Sequence, residues 1–149
     1  AETGTDMSAW PSEKHFASWL GLSPGNKITG GKVLSSKTKP TANRAAASFR
    51  MSAYGLFNSK SALGAYFRRQ RSRLGAPKAI TATAHKLARI FYSMIKKGEE
   101  YVDHGQEYYE EQYRGRVVKN LKKKAQSMGF LLVADVAASD GSDATLSTG

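Results

Sequence analysis

From Lys14 to Lys97 the chain carries seventeen Lys or Arg and not one Asp or Glu. Ordinary solvated surfaces mix both signs, so a fold built from these eighty-four residues must present a field of one sign. The acids are confined to the N-terminal thirteen residues, to 99–111 and to the stretch from Asp135 onward, and the formal net charge is +11. Such a field suits a polyanion, and phosphate backbones are the commonest one. An anionic bilayer fits less well, because the basic helices read below keep no wide, bulky apolar face for lipid. A generally basic domain with no polyanionic partner is the plainer alternative.

A length of 149 residues suits one domain with a modest core. The mean hydropathy of -0.48 indicates a soluble chain, and no run of eighteen apolar residues could span a bilayer. The absence of cysteine excludes disulfides and thiolate metal sites, and His15, His85 and His104 are too scattered to form a metal cluster by spacing. The start, AETGTDMSAW, has neither an initiator Met nor the basic-then-apolar order of a signal peptide, so the chain is expected to be a piece of a longer protein.

Apolar spacing gives a mainly α fold with about five helices around one small core. Ser12 is a natural N-cap for EKHFASWL, whose Phe16, Trp19 and Leu20 form a stripe ended by Gly21. A long basic loop, PGNKITGGKVLSSKTKPTANR, follows. Thr41 can then cap a second helix with Ala46, Phe49, Ala53 and Leu56 on one face, ending near Asn58. Ser61 starts a third, which turns Leu63, Phe67 and Leu74 inward and leaves Arg68, Arg69, Arg71 and Arg73 outside until Gly75. Pro77 fits the first turn of a fourth, closed by Gly98, with Ile80, Ala84, Leu87, Phe91 and Met94 inward and Lys78, Thr81, His85, Arg89 and Lys96 on the opposite face. A fifth helix, or pair of helices bent at Gly115, places Val117, Val118, Leu121, Ala125 and Met128 together and spaces Glu110 and Arg114 as an i,i+4 pair. FLLVADV reads as a short strand or packed coil, and the tail after it as disordered. The expected boundaries are an upstream segment or linker over 1–11, a domain over 12–133 and a disordered tail over 134–149.

These residues carry a resemblance. WPSEKHFASWLGLSPGNKITGGKVLSSKTKPTANRAA, followed by LGAYFRRQRSRLGAPKAITATAHKLARIFYSMIKKGEEY, resembles the C-terminal domain of insertion-sequence transposases related to the Piv-type DNA invertases, over roughly Thr5 to Val133. The resemblance rests on the GL-x-P loop, the GGK element, the NRAA helix start and the HK-LAR helix. It implies a two-part recombinase: an N-terminal RuvC-like domain with four acidic ligands for Mg2+, and this domain bearing a nucleophilic serine. It further implies DNA as partner, a structured guide RNA in some members, homo-oligomers of the full-length protein and a bacterial cytoplasmic, DNA-associated setting, with no membrane.

In the relatives the nucleophilic serine directly precedes the Gly of the segment that reads here Ile28-Thr29-Gly30-Gly31-Lys32, so the resemblance puts Thr29 at that position. A threonine hydroxyl can attack phosphorus, but its methyl restricts the rotamer and crowds the displacement. Gly30 and Gly31 let the backbone approach a phosphate, and Lys27 and Lys32 can offset charge in the transition state. With no carboxylate from 14 to 97 to serve as base or metal ligand, the domain is expected to bind no cofactor and to be inert on DNA alone. Ser35 and Ser36 are fallback nucleophiles.

The expected nucleic-acid contacts are Lys27, Gly30, Gly31, Lys32, Lys37, Lys39, Asn43 and Arg44 in the loop and the following helix start, Arg68, Arg69, Arg71 and Arg73 on the third helix, and His85, Lys86 and Arg89 on the fourth. Tyr66, Tyr92, Tyr108 and Tyr109 read as packing residues rather than base-stacking ones. The rival readings are a basic helical module that holds DNA or RNA without reacting, and a structural RNA-binding protein.

Overall fold

In the computed structural model, residue 4 and residues 6–139 are described. In chain order the elements are α1 (Glu13–Trp19), β1 (Lys27–Thr29), β2 (Lys32–Ser35), α2 (Arg44–Gly55), α3 (Ala62–Leu74), α4 (Ala76–Lys97), α5 (Gly105–Ser127) and the short α6 (Val136–Ser139). The chain divides into two units, 1–110 and 111–149. None of the described helices is long and apolar enough to cross a membrane.

In the first unit α1, α2 and α3 all pack on α4. The contact between α2 and α4 is built on small residues: Ala46 and Ala53 on one, Ala84 and Ala88 on the other, all fully buried. Small side chains bring helix axes close, and the aromatic rings gather around that seam. Phe16, fully buried, meets Trp10 edge-on at 5.0 Å and lies 6.2 Å from the Phe91 ring, which in turn meets Phe49 at 5.6 Å. Such pairs add about 0.5–1.5 kcal/mol each beyond their burial. The Tyr92 hydroxyl, carried into the core by α4, donates to the Trp10 carbonyl at 2.7 Å and ties the segment before α1 to the bundle.

The helix ends follow the capping residues. Ser12 accepts from the His15 amide, Ser61 from the Gly64 amide, Pro77 lies in the first turn of α4, and Gly98 closes α4 in a left-handed conformation. One cap is displaced from its expected position. Asn43, not Thr41, caps α2: its Oδ1 accepts from the amides of Ala45 and Ala46 at 2.9 and 3.2 Å, while the Thr41 hydroxyl accepts from the Asn43 amide. The shorter reach of Asn43 to the free amides of the first turn decides the matter.

Other expectations are corrected. The stretch read as a loop contains a β-hairpin, β1 antiparallel to β2. The buried side of α4 is Ala79, Thr83, Ala84, Ala88 and Tyr92, with Ile80, Leu87 and Phe91 half-buried on its flank, so the helix is rotated from the face its largest apolar residues suggested. Leu74 is exposed at the end of α3. FLLVADV forms no strand; residues 130–135 are coil, since a strand requires a partner edge to satisfy its amides. Asp135 then accepts from the Ala137 amide at the start of α6, so this part of the expected disordered tail is helical, and 140–149 lies outside the described residues.

In the second unit, α5 runs on through Gly115 without a break. Val117, Val118, Leu121 and Met128, expected to share one face, are exposed, because a single helix cannot bury its own stripe without a second layer. The lysines at 122–124 are exposed as well.

Thr83 offers a test of the packing. Its side chain is fully buried on α4 and its Oγ1 has no hydrogen-bond partner. A buried unsatisfied hydroxyl costs about 1–3 kcal/mol, and Val keeps the shape without the oxygen. Thr83→Val should therefore stabilise the protein by about 1 kcal/mol, read as a higher midpoint in a urea titration. A lower midpoint would show that the hydroxyl finds a partner.

Candidate functional site

The hairpin holds the expected nucleophile. Two successive glycines, Gly30 and Gly31, have positive φ values of 55° and 77° and connect β1 to β2 in the two-residue manner of a tight hairpin. A side chain would fit sterically beside either, as nothing lies within 4 Å of an added Cβ, so their conformation explains the residue type. The register pairs Thr29 with Lys32 and Ile28 with Val33, then shifts before Lys27 meets Ser35, with Leu34 as the extra residue. Directly paired residues share a face. Thr29 and Lys32 therefore stand together at the turn on one face, with Ile28 and Val33 on the other.

The hairpin is tied down at its base by the Gly25 amide donating to the Lys37 carbonyl at 3.0 Å and by a bridge between Pro24 and Thr38. Thr29, Gly30, Gly31 and the ammonium-bearing Lys27, Lys32, Lys37 and Lys39 are all exposed. Of the alternative hydroxyls, Ser35 Oγ accepts from the Lys37 amide at 3.3 Å, while Ser36 is exposed. Asn43 is occupied as the α2 cap, and Arg44 is exposed beside it.

The arginines of α3 and α4 are engaged within the fold. Arg68 donates from Nη1 to the Phe57 and Ser59 carbonyls at 3.0 and 2.6 Å and from Nη2 to Gln106 Oε1 at 2.6 Å, fastening the turn between α2 and α3. Arg69 pairs with Glu110, which the sequence had spaced for Arg114. Arg71 lies 4.5 Å from the centre of the Phe57 ring, and Arg73 donates to Gln70 at 2.9 Å. On α4, Arg89 pairs with Glu13 through Nε at 2.9 Å and through Nη2, and Lys86 sits 4.5 Å over the Tyr66 ring.

The Arg89 guanidinium holds the Glu13 carboxyl below the usual carboxylate range, with the Ser93 hydroxyl adding a weaker hydrogen bond. His85, half-buried, has its pKa lowered by burial and then by Arg89, against an opposing pull from Glu13, which favours the neutral imidazole. An open cleft of about 390 Å³ lies beside this pair. Glu13, Glu99 and Glu100 line it together with Lys86 and Arg89, and this mixture of signs does not suit a phosphate. Among the described residues no three of His, Cys, Asp or Glu come together to hold a metal ion.

The structure thus separates the expected contacts into two groups. The hairpin lysines stand around Thr29 and face water; Arg68, Arg69 and Arg89 hold the fold together. Reading the sequence missed Glu13, Asp103 and Glu110 as internal partners, Asp103 through hydrogen bonds from the amides of Ala62 and Gly105 at 3.1 and 2.7 Å. Their signal was their place: they belong to the groups of acids on either side of the acid-free stretch.

Residues 1–68 match the family model described as the transposase IS116/IS110/IS902 family. Over this segment, which is under half of the chain, the sequence is similar to the transposases of that family. The matched part takes in α1, the whole hairpin, α2 and the first half of α3, and ends at Arg68. No curated protein and no solved structure matches the chain.

Proposed function

We propose that this chain is the DNA-binding, hydroxyl-donating part of a DNA transposase, with Thr29 as the group that attacks DNA phosphorus. The observation that carries the reading is the hairpin itself: a hydroxyl beside a tight diglycine turn, paired with Lys32, exposed, and surrounded by lysines in a segment without acids, inside the residues that match the transposase family. In the step envisaged, Thr29 Oγ1 bonds to a backbone phosphorus, the bond from phosphorus to the leaving 3′ or 5′ oxygen breaks, and that oxygen takes up a proton. The Lys32 ammonium, on the same face, offsets negative charge on the non-bridging oxygens. The described residues around Thr29 provide neither a base nor a set of metal ligands, so we place the group that removes the hydroxyl's proton outside these residues. The RuvC-like, Mg2+-holding domain implied by the resemblance is where we place that group, with a guide RNA as a further partner in those proteins that use one. The test is a denaturing gel of full-length protein incubated with labelled DNA and Mg2+, in which a covalent protein–DNA adduct is expected. Absence of any adduct would favour a module that binds without reacting.

Binding itself has a separate signature. Each phosphate neutralised by a lysine contributes about 0.9 to the slope of log K against log salt. Changing Lys27, Lys32, Lys37 and Lys39 together to Gln should reduce that slope by about 3 to 4, with the melting temperature unchanged because all four side chains are exposed. An unaltered slope between about 50 and 200 mM salt would remove the hairpin from the interface.

A further inference from the structure

The hairpin has a second face that the chemistry above does not use. Ile28 and Val33 are paired across it and are 61% and 57% exposed, and Leu34 beside them is 68% exposed. Among the described residues the principal contacts of each strand are with the other strand rather than with a helix. A two-stranded ribbon alone in water is marginal, and paired β-branched residues left in solvent gain nothing from burial. Their occupant must be apolar where it meets Ile28 and Val33 and anionic around them, since Lys27, Lys32, Lys37 and Lys39 surround the pair with no acid from 14 to 97.

We infer that the ribbon enters the major groove of duplex DNA turn first and obliquely, so that Ile28 and Val33 lean over base edges and thymine methyl groups while the opposite face, with Thr29 and Lys32, meets the sugar–phosphate rim. This rests on the reading of Thr29 given above and adds to it a place on the duplex. The dimensions agree. Two strands about 4.8 Å apart, with their side chains, need a width of roughly 10 Å, which fits a major groove about 12 Å wide and not a minor groove about 6 Å wide. Three residues from Lys27 to the turn reach roughly 10 Å, against a groove depth of about 8.5 Å. The turn carries no side chain at Gly30 or Gly31 to stop the approach. The deep, narrow major groove of A-form RNA would exclude the ribbon, and the thymine methyl is the apolar group that duplex DNA offers there.

Dimethyl sulfate footprinting distinguishes the grooves, because it methylates guanine N7 in the major groove and adenine N3 in the minor groove. With full-length protein on duplex DNA, protection of guanine N7 over a short patch is expected, with adenine N3 unprotected in the same patch. Replacing thymine by uracil there should weaken binding by the wild-type protein about fourfold per contacted base, the effect of burying one methyl group. The double variant Ile28→Thr, Val33→Thr, which keeps the β-branched shape, should lose that discrimination while still forming the covalent adduct. Adenine N3 protection without guanine N7, or equal affinity for thymine and uracil duplexes, overturns the placement. So does slow amide exchange at Ile28 and Val33 in the DNA-free full-length protein, which would show that a protein surface covers them. In each of these cases an adduct that depends on Thr29 leaves the proposed chemistry standing; an adduct that persists in Thr29→Ala with the footprint intact separates the two claims in the other direction.

Discussion

Thr29→Ala should leave the full-length protein unable to form a covalent adduct with DNA, while its DNA affinity changes little. The variant removes the one atom proposed to bond to phosphorus and leaves Lys27, Lys32 and the diglycine turn in place. Loss of a nucleophile removes covalent chemistry rather than slowing it, so the adduct band should fall below detection. Thr29→Ser supplies the opposite comparison. It keeps the hydroxyl, deletes the methyl that restricts χ1 and crowds the attacking oxygen, and should form the adduct at least as fast as the parent. Neither change should disturb folding, because Thr29 is exposed at the end of β1 and outside the core. An adduct that persists in the Ala variant would move the role elsewhere on the hairpin. Ser36 would be tested first, since it is exposed, whereas Ser35 Oγ already accepts from the Lys37 amide.

Gly64→Ala should cost about 3 kcal/mol or more, a large share of the 5–15 kcal/mol that holds an ordinary domain folded. A Cβ at this position would lie 2.2 Å from the Ser59 carbonyl oxygen and 3.0 Å from that of Leu56. Both are backbone atoms, so relief requires moving the turn between α2 and α3 bodily. That turn is also where Arg68 donates to Phe57 and Ser59, so pushing it away strains two further hydrogen bonds. The expected reading is a strong fall in the urea midpoint and the melting temperature. Gly115→Ala is the control: it lies mid-helix in α5 with nothing within 4 Å of an added Cβ, and should be neutral or stabilising by up to about 1 kcal/mol. Equal behaviour of the two variants would mean that the close approach at Gly64 is not part of the folded state.

Reading the hairpin as a loop has a specific physical cause. Its strands are three and four residues long, rich in lysine and bulged, so they lack the alternation by which half-buried strands announce themselves. The diglycine was visible but consistent with any turn. Its meaning as a two-residue hairpin depends on the pairing of Ile28 with Val33, which fixes Thr29 beside Lys32. The rotation of α4 has a related cause. The expected stripe was Ile80, Ala84, Leu87, Phe91 and Met94; close approach of α2 selects alanine, so Ala84 is joined at the seam by Ala88 while Ile80, Leu87 and Phe91 pack around its edge.

The sequence by itself determined the helical class, the caps at Ser12, Ser61 and Gly98, the one-signed charge of the central stretch and the candidate hydroxyl, because each of these acts over a few residues or is a sum over composition. Tertiary structure alone decided which cations are engaged within the fold. Arg68, Arg69 and Arg89 find Gln106, Glu110 and Glu13 across 38, 41 and 76 residues of chain, and no local pattern encodes a pairing at that range. An arginine on a helix and a lysine on a hairpin look alike as charges in a sequence. They differ once folding brings the flanking acids back onto α3 and α4, while among the described residues no salt bridge engages the hairpin lysines.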